Sequence, residues 1–494
     1  MSNNDRTISA DVRVLPFIDG ILRESHSRST LDVINPSNGQ LCTTIPEGSQ
    51  EDVDRAVGSA RLAFEDGRWS DAPASLRKKV LNRLADAITS SVKELNELDA
   101  VEMGKPIGEK FGSASSAASL FRFYAEAVDK VSGDVFVSDK TSFVTQRRVP
   151  RGVVAAVVPW NFPSYNAAIK VAPALAAGNT VILKPSELAS RSALRIAQLA
   201  SEAGLPDGVL NVVPGRGETV GQALAMHGDV NMLTFTGSTE VGKRMLQYAG
   251  RSNMKSVMLE CGGKSPQIVF DDGVDLEAVA DAVARSLVTN QGQICSAGSR
   301  LVVQKSIERD LIRKIVERLR RIVVGDACNV DTTFGPLVSA GQCSRVMRYI
   351  KDAVENKAVL AAGGKRILEQ SGGYFVEPTV LSEVDPSSRI AQEEVFGPVL
   401  AVMTFSDSSD AIRIANGTIY GLTAYVWTTN ISVGMRMMSG IRSSVRVNAA
   451  APTGEGAGHA YSYEPSSQSG FGVESGIAGM ESYLRRQLVW FNYS

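Results

Sequence analysis

Between residues 153 and 237 strands and helices alternate, and no other feature of the chain restricts its fold so far. VVAAVVP (153–159) is an apolar run of the length of a buried strand. A helical stretch through Ala176 and the turn Ala177-Gly178-Asn179 lead to the strand TVILKP (180–185). SALRIAQLASEAG (192–204) is helical and closes on Gly204, a C-cap. VLNVVPG then reads as a strand, VGQALAMHG as a helix, and NMLTFTG as a strand ending on Gly237. This alternation predicts a parallel, doubly wound sheet.

The flanks call for more than one core, because 494 residues exceed what a single core holds. Residues 51–65 place Val53, Ala56, Val57, Ala60 and Leu62 at helical spacing. Residues 75–100 read as one helix with Leu76, Val80, Leu84 and Ile88 on a stripe, and 113–130 as another. TSFVTQRRVPRG, from about 141, alternates as an exposed strand or hairpin. A second α/β block begins near 262. It holds the strand KSPQIVF, a long helical pattern through LEAVADAVARSLVTNQGQICSAGSR with a glycine interruption, and the strand LVVQKS. Helices at 307–322 and 341–356 and strands near 376–381 and 399–405 follow. The Gly/Ser-rich stretch 449–476 reads as a long functional loop, and the end of the chain as a helical turn followed by the apolar strand LVWFN.

Composition removes several classes of function. A formal net charge of -1 gives no basic field for nucleic acid. The apolar runs are too short to span a membrane, and the polar start MSNNDRTISADVRV lacks the layout of a signal peptide. Five cysteines, at 42, 261, 295, 328 and 343, form no disulfide framework and fit a reducing, cytoplasmic compartment. His26, His227 and His459 have no metal-ligand spacing, so no metal is expected.

Five short segments can carry chemistry. Cys295, in NQGQICSAGSR, follows Gly292 among small and polar residues, where a thiolate could attack a carbonyl carbon; a lone cysteine is otherwise more often buried and inert. Pro159-Trp160-Asn161-Phe162-Pro163 must turn after its strand. It is either a plain turn with an aromatic plug or a rigid mount from which Asn161 donates to an oxyanion. Glu260, before Cys261-Gly262-Gly263-Lys264, is either a surface carboxylate paired with Lys264 or a general base. Phe235-Thr236-Gly237-Ser238-Thr239-Glu240-Val241-Gly242 opens a helix whose free amides suit a pyrophosphate, though its glycine spacing is not the dinucleotide fingerprint. Lys184-Pro185-Ser186-Glu187 follows a strand at the rim where such sheets bind ligands.

Taken in order, PWNFP, LKPSE, FTGSTEVGK, LE-x-GGKSP, GQICSAGSR and EEVFGPV (393–399) resemble the aldehyde dehydrogenase superfamily over nearly the whole chain. The resemblance implies a Rossmann-like cofactor domain (1–130 and 150–261), an α/β catalytic domain (262–470) and a small β oligomerisation unit (131–149 and 480–494). It implies oxidation of a small aldehyde to its acid with NAD, or NADP, through a thioester on Cys295. Glu260 would be the base for water, Asn161 the oxyanion donor and Lys170 a supporting lysine. Cofactor contacts would fall on Trp160, Lys184, Ser186, Glu187, Gly217, Gly237, Ser238, Val241, Gly262, Glu394 and Phe396. Tyr165, Asn166, Ile169, Thr289 and Tyr463 would border the substrate, with His459 and Tyr461 at the mouth. SNMKSVMLECGGKS resembles enzymes for ω-amino or γ-glutamylamino aldehydes. Two rival readings are a relative that passes the acyl group to coenzyme A, against which Glu260 speaks, and a noncatalytic homologue.

The chain also departs from the family. Cys261 stands where leucine is usual. The Pro-Phe-Gly-Gly-x-Lys-x-Ser-Gly run reads Ser462 to Gly470 with its Gly-Gly pair and lysine gone, while Glu474 matches a glutamate assigned to a proton relay. Finally, LVWFN needs a strand partner. Pairing between subunits would give a homodimer or homotetramer, whereas pairing within the chain would not.

Overall fold

The computed structural model describes residues 14–449 and 458–493. Its first large sheet is built on the segment that opened the sequence reading. In order across the sheet lie Ile21–Leu22, Phe17–Ile18, Leu210–Val212, Thr180–Lys184, Val153–Val157, Met232–Thr236, Ser256–Glu260 and Gly470–Phe471. The five inner strands are parallel, with Val153 facing Thr180 and Met232 facing Val154. Every residue of Val153–Val157 is buried, as a parallel strand covered on both faces requires.

The order of these strands positions the site. From Val153–Val157 the chain builds outward to one side, then crosses to build the other side from Met232–Thr236. Two neighbouring strands therefore send their C-terminal loops in opposite directions, and a crevice opens between them. Those loops are the Pro159–Pro163 and Gly237–Ser238 segments.

The second sheet has seven strands, ordered Val359–Ala362, Thr379–Ser382, Val399–Phe405, Arg300–Gln304, Pro266–Val269, Thr423–Trp427 and Ser444–Val447. Leu422, Thr423 and Ser444, at the N-terminal ends of its strands, line the crevice left by the first sheet. A three-stranded sheet, Leu484–Asn492, Ser142–Pro150 and Asp134–Phe136, stands apart.

Four expectations change. The helix expected over 75–100 is two, Ala74–Ser90 and Val92–Met103. Leu76 is exposed beside its Pro73 N-cap, while Val80, Leu84 and Ile88 are buried. Leu62 is also exposed, because two residues beyond Ala60 is about 200° around a helix. The long helical pattern after 276 ends at Val288, where Asn290, Gln291 and Gly292 turn left-handed with φ of 46°, 55° and 67°. Lastly, LVWFN is the second half of Leu484–Asn492, which pairs antiparallel with Ser142–Pro150 of its own chain. Leu484–Asn492 lies at the edge of its sheet, with Leu488, Trp490 and Phe491 exposed.

Of the 449–476 stretch, 450–457 lie outside the described residues. The remainder supplies two short strands. Ser466–Ser467 pairs with Tyr420–Gly421, and Gly470–Phe471 closes the first sheet beside Leu259 and Glu260.

Candidate active site

Asn161 is held by amides on three sides. Its Nδ2 donates to the carbonyl of Gln293 at 2.9 Å, and its Oδ1 accepts from Asn166 Nδ2 at 3.1 Å. Its own carbonyl accepts from Asn290 Nδ2 at 2.7 Å. Pro163 opens the following helix at a position that needs no N–H, which fixes the turn. One Nδ2 hydrogen is thus committed, and the second remains for a ligand. Asn166, expected at the substrate, does border the cleft but spends its amide on orienting Asn161.

Cys295 follows the left-handed turn. A Cβ on Gly292 would stand 2.5 Å from the carbonyl oxygen of Gly397, so only glycine lets the chain pass. The thiol is half-buried and faces the cleft. Burial, with the carboxylates of Glu394 and Glu260 adding to it, pushes Cys295 up to about 12, and a hydrogen bond from the Ser296 amide opposes them. The resting sulfur is therefore a thiol and needs a base to become a nucleophile.

Glu260 ends the strand Ser256–Glu260 and is buried, and its Oε1 has no hydrogen-bond partner among the described residues. Burial and the carboxylate of Glu474 raise its pKa well above the usual range, and Lys170 opposes them. The alternative of a surface carboxylate paired with Lys264 is not what is found. Lys264 is buried too, its Nζ is unpartnered among the described residues, and burial beside Arg300 drives it down to about 7. Behind Glu260, Lys170 forms a buried ion pair with Glu474, and Tyr463 donates to Glu474 Oε2 at 2.8 Å. Tyr463, expected at the tunnel, lines the cavity while gripping this pair.

Asn161, Asn166, Glu260, Cys295, Tyr463 and Glu474 border one cavity of about 1300 Å³, and Lys170 stands behind its wall. Trp160, Gly237, Ser238, Gly262, Glu394 and Phe396 line the same cavity, as do Tyr165 and Ile169. Ser238 caps the helix Thr239–Arg251 by accepting from Val241 N at 3.3 Å. Thr236 Oγ1, at the strand end below, is buried without a partner among the described residues. Glu394 Oε1 accepts from Gly263 N at 3.0 Å, and a side chain at Gly262 would collide with the same carboxylate. Burial raises Glu394 to about 7. Phe396 takes a left-handed φ of 58° and sets its ring edge-on to Trp160, 5.3 Å between centroids. A cavity of this volume, with an orphaned hydroxyl at the strand end that leads into a helix N-terminus and an aromatic pair on its lining, fits a dinucleotide.

Several expected residues sit elsewhere. Lys184, Ser186, Glu187 and Gly217 do not line this cavity. Lys184 ends the neighbouring strand, pairs with Glu187 at 3.2 Å and has Glu218 close by, while Gly217 begins a short helical turn. Val241 packs against the core of the first sheet. Thr289, where the helix ends, borders a neighbouring cavity of about 560 Å³ that shares Phe111, Ile294 and Ser296 with the first. Sequence reasoning passed over Arg446, whose one signal is a charged residue inside the β-branched run Ser444–Val447. Among the described residues no group of histidine, cysteine and carboxylate side chains could hold a metal ion.

The model for the aldehyde dehydrogenase family matches residues 22–489. The chain is 39% identical to a betaine aldehyde dehydrogenase of Bacillus subtilis over 488 residues, covering 96% of this chain and 97% of that one. It is 39% identical to the NADP/NAD-dependent aldehyde dehydrogenase PuuC of Escherichia coli over 490 residues, 99% of this chain and 97% of the other. Its fold is similar to that of a P. syringae indole-3-acetaldehyde dehydrogenase solved with NAD+, at a TM-score of 0.94 and 42% identity, covering 98% and 97% of the two chains.

Proposed function

The chain belongs to the aldehyde dehydrogenase family, and from that premise we propose that Cys295 is its nucleophile, Glu260 its base and Asn161 its oxyanion donor. It is an NAD(P)-dependent enzyme that oxidises an aldehyde to the carboxylic acid. The observation that carries the assignment of roles is a single cavity bordered by an accessible thiol, a buried unpartnered carboxylate and a spare amide hydrogen.

Glu260 accepts the thiol proton, and Cys295 Sγ bonds to the aldehyde carbon. The oxyanion so formed accepts from Asn161 Nδ2 and the backbone amide of Cys295. The oxidised nicotinamide, when bound, supplies the hydride acceptor that converts this adduct to a thioester. Glu260 then gives the thiol proton up to solvent and takes one from water, the hydroxide attacks the thioester carbon, and the C–S bond breaks, releasing the acid and leaving a Cys295 thiolate that recovers its proton from Glu260. Trp160, Gly237, Ser238, Glu394 and Phe396 would hold the cofactor along the cavity, and Lys184 and Glu187, outside its lining at the end of the neighbouring strand, would meet a ribose that extends past it. A carboxylate at Glu187 favours NAD over a ribose phosphate.

The open edge of Leu484–Asn492 supports a homodimer or homotetramer. Free cysteines, and the lack among the described residues of a helix long and apolar enough to cross a membrane, support work in the cytoplasm.

The test follows NADH and NADPH formation against aliphatic, aromatic and charged aldehydes, without coenzyme A. Cys295→Ala is expected to be inactive. Glu260→Gln is expected to slow both the first formation of reduced cofactor and the release of acid, with turnover down about 10²–10⁴-fold. Turnover only when coenzyme A is added, in wild type and Glu260→Gln alike, would refute the role of Glu260.

A further inference from the structure

Among the cationic side chains that border the active-site cavity, Arg446 alone has no polar partner among the described residues. Lys243 donates to Gln468 Oε1 at 2.8 Å, Arg345 to the Glu394 carbonyl at 2.8 Å, and Arg389 to Glu393 at 3.1 Å. His459 meets Ser119 Oγ at 2.9 Å. Arg446 has only an aromatic face, with its guanidinium 6.0 Å from the centroid of the Tyr425 ring. That distance is the outer limit for such a contact, and stacking leaves the N–H fork unused.

Its place gives the unused fork a meaning. Arg446 lies on the edge strand Ser444–Val447, whose Ser444 and Val445 also line the cavity. The Tyr425 hydroxyl beneath it donates to the carbonyl of Ser296, 3.0 Å away and next in sequence to Cys295. The guanidinium is thereby indexed to the nucleophile through two rigid strands of one sheet, Thr423–Trp427 and Ser444–Val447. Neither Glu474 nor Glu260 pairs with it: Glu474 is bound to Lys170, and Glu260 Oε1 has no partner among the described residues. A half-buried, unpaired arginine in the same cavity as the reacting sulfur creates a site for a planar anion, which its fork binds through two parallel hydrogen bonds.

We propose that Arg446 binds a carboxylate at the far end of the substrate, so that the preferred aldehydes are ω-carboxy aldehydes. The proposal rests on the assignment of Cys295 as nucleophile. It sets aside the ω-amino aldehydes suggested by SNMKSVMLECGGKS, because an ammonium in the same place would meet the guanidinium head-on.

The experiment pairs each ω-carboxy aldehyde of three to six carbons with its methyl ester, using the full-length enzyme and NAD+. Wild type is expected to prefer one of the acids over its ester about 10- to 100-fold in kcat/KM, the range of a charge-assisted hydrogen-bonded pair. Arg446→Gln is expected to cut kcat/KM for that acid at least tenfold more than for its ester, through KM, and Arg446→Lys to keep part of the preference. Equal rates on acids and esters in wild type would overturn the proposal. So would an equal loss on both in Arg446→Gln, which would mean that the arginine serves only to hold the strand. Oxidation of esters but not acids refutes this inference alone. Persistence of all activity in Cys295→Ala refutes the catalytic assignment beneath it.

Discussion

Glu260 works against two raising influences, burial and Glu474, with Lys170 opposing them. The base is the deprotonated form, so turnover rises as pH climbs through its folded pKa. Lys170→Met removes the opposing charge, and the rise in kcat is expected to move to higher pH. The same change strands Glu474 in the interior and is expected to cost about 3–5 kcal/mol of stability. Adding Glu474→Gln removes both faults, so a pH–rate series on the double variant should return toward wild type. Asp99 offers a test away from the site. Burial lifts it to about 6, with Lys105 opposing. Its folded pKa lies above the unfolded one, so its contribution to stability is full below about pH 4 and lost as pH rises through 6. Asp99→Asn should flatten that stretch of the melting-temperature profile. Cys295, Glu260 and Asn161, which meet at one cavity, could be singled out in the sequence because each is the one chemically able residue of a short motif. Arg446 was not, because its meaning depends on which edge of which sheet reaches the cleft.

At the scale of elements, periodicity located strands and helices but not the breaks between them. Ser91 separates two helices whose apolar stripes run almost on from each other, so the stripe hides the break. The turn at Asn290–Gly292 showed in the sequence only as a glycine interruption of a helical pattern, yet it decides how the chain reaches Cys295. Gly292→Ala should therefore be severe. It puts a methyl 2.5 Å from the Gly397 carbonyl at a φ of 67°. We expect a loss of about 1–3 kcal/mol in denaturant unfolding and an activity loss larger than that alone explains, because the turn also carries Asn290 to the Asn161 carbonyl. The left-handed Phe396 is the counterpart on the cofactor side, and no periodicity marks it.

For the molecule as a whole, strand and helix alternation foretold the first sheet, while its last strand came from more than two hundred residues away, beyond the reach of local pattern. The three-stranded sheet ends in an open edge with Trp490 and Phe491 exposed. If that edge joins subunits, Trp490→Glu should yield a smaller species in analytical ultracentrifugation while the melting temperature changes little. The closing strand has a different consequence. Gly470 sits against Glu260, Ser469 accepts from the Cys261 amide at 2.8 Å, and Glu474 meets Lys170 from 304 residues along the chain. On a ribosome the nucleophile, the base and most of both sheets emerge well before these last pieces. The nascent protein is therefore chemically silent until residues 466–474 have emerged, and their arrival completes its active site.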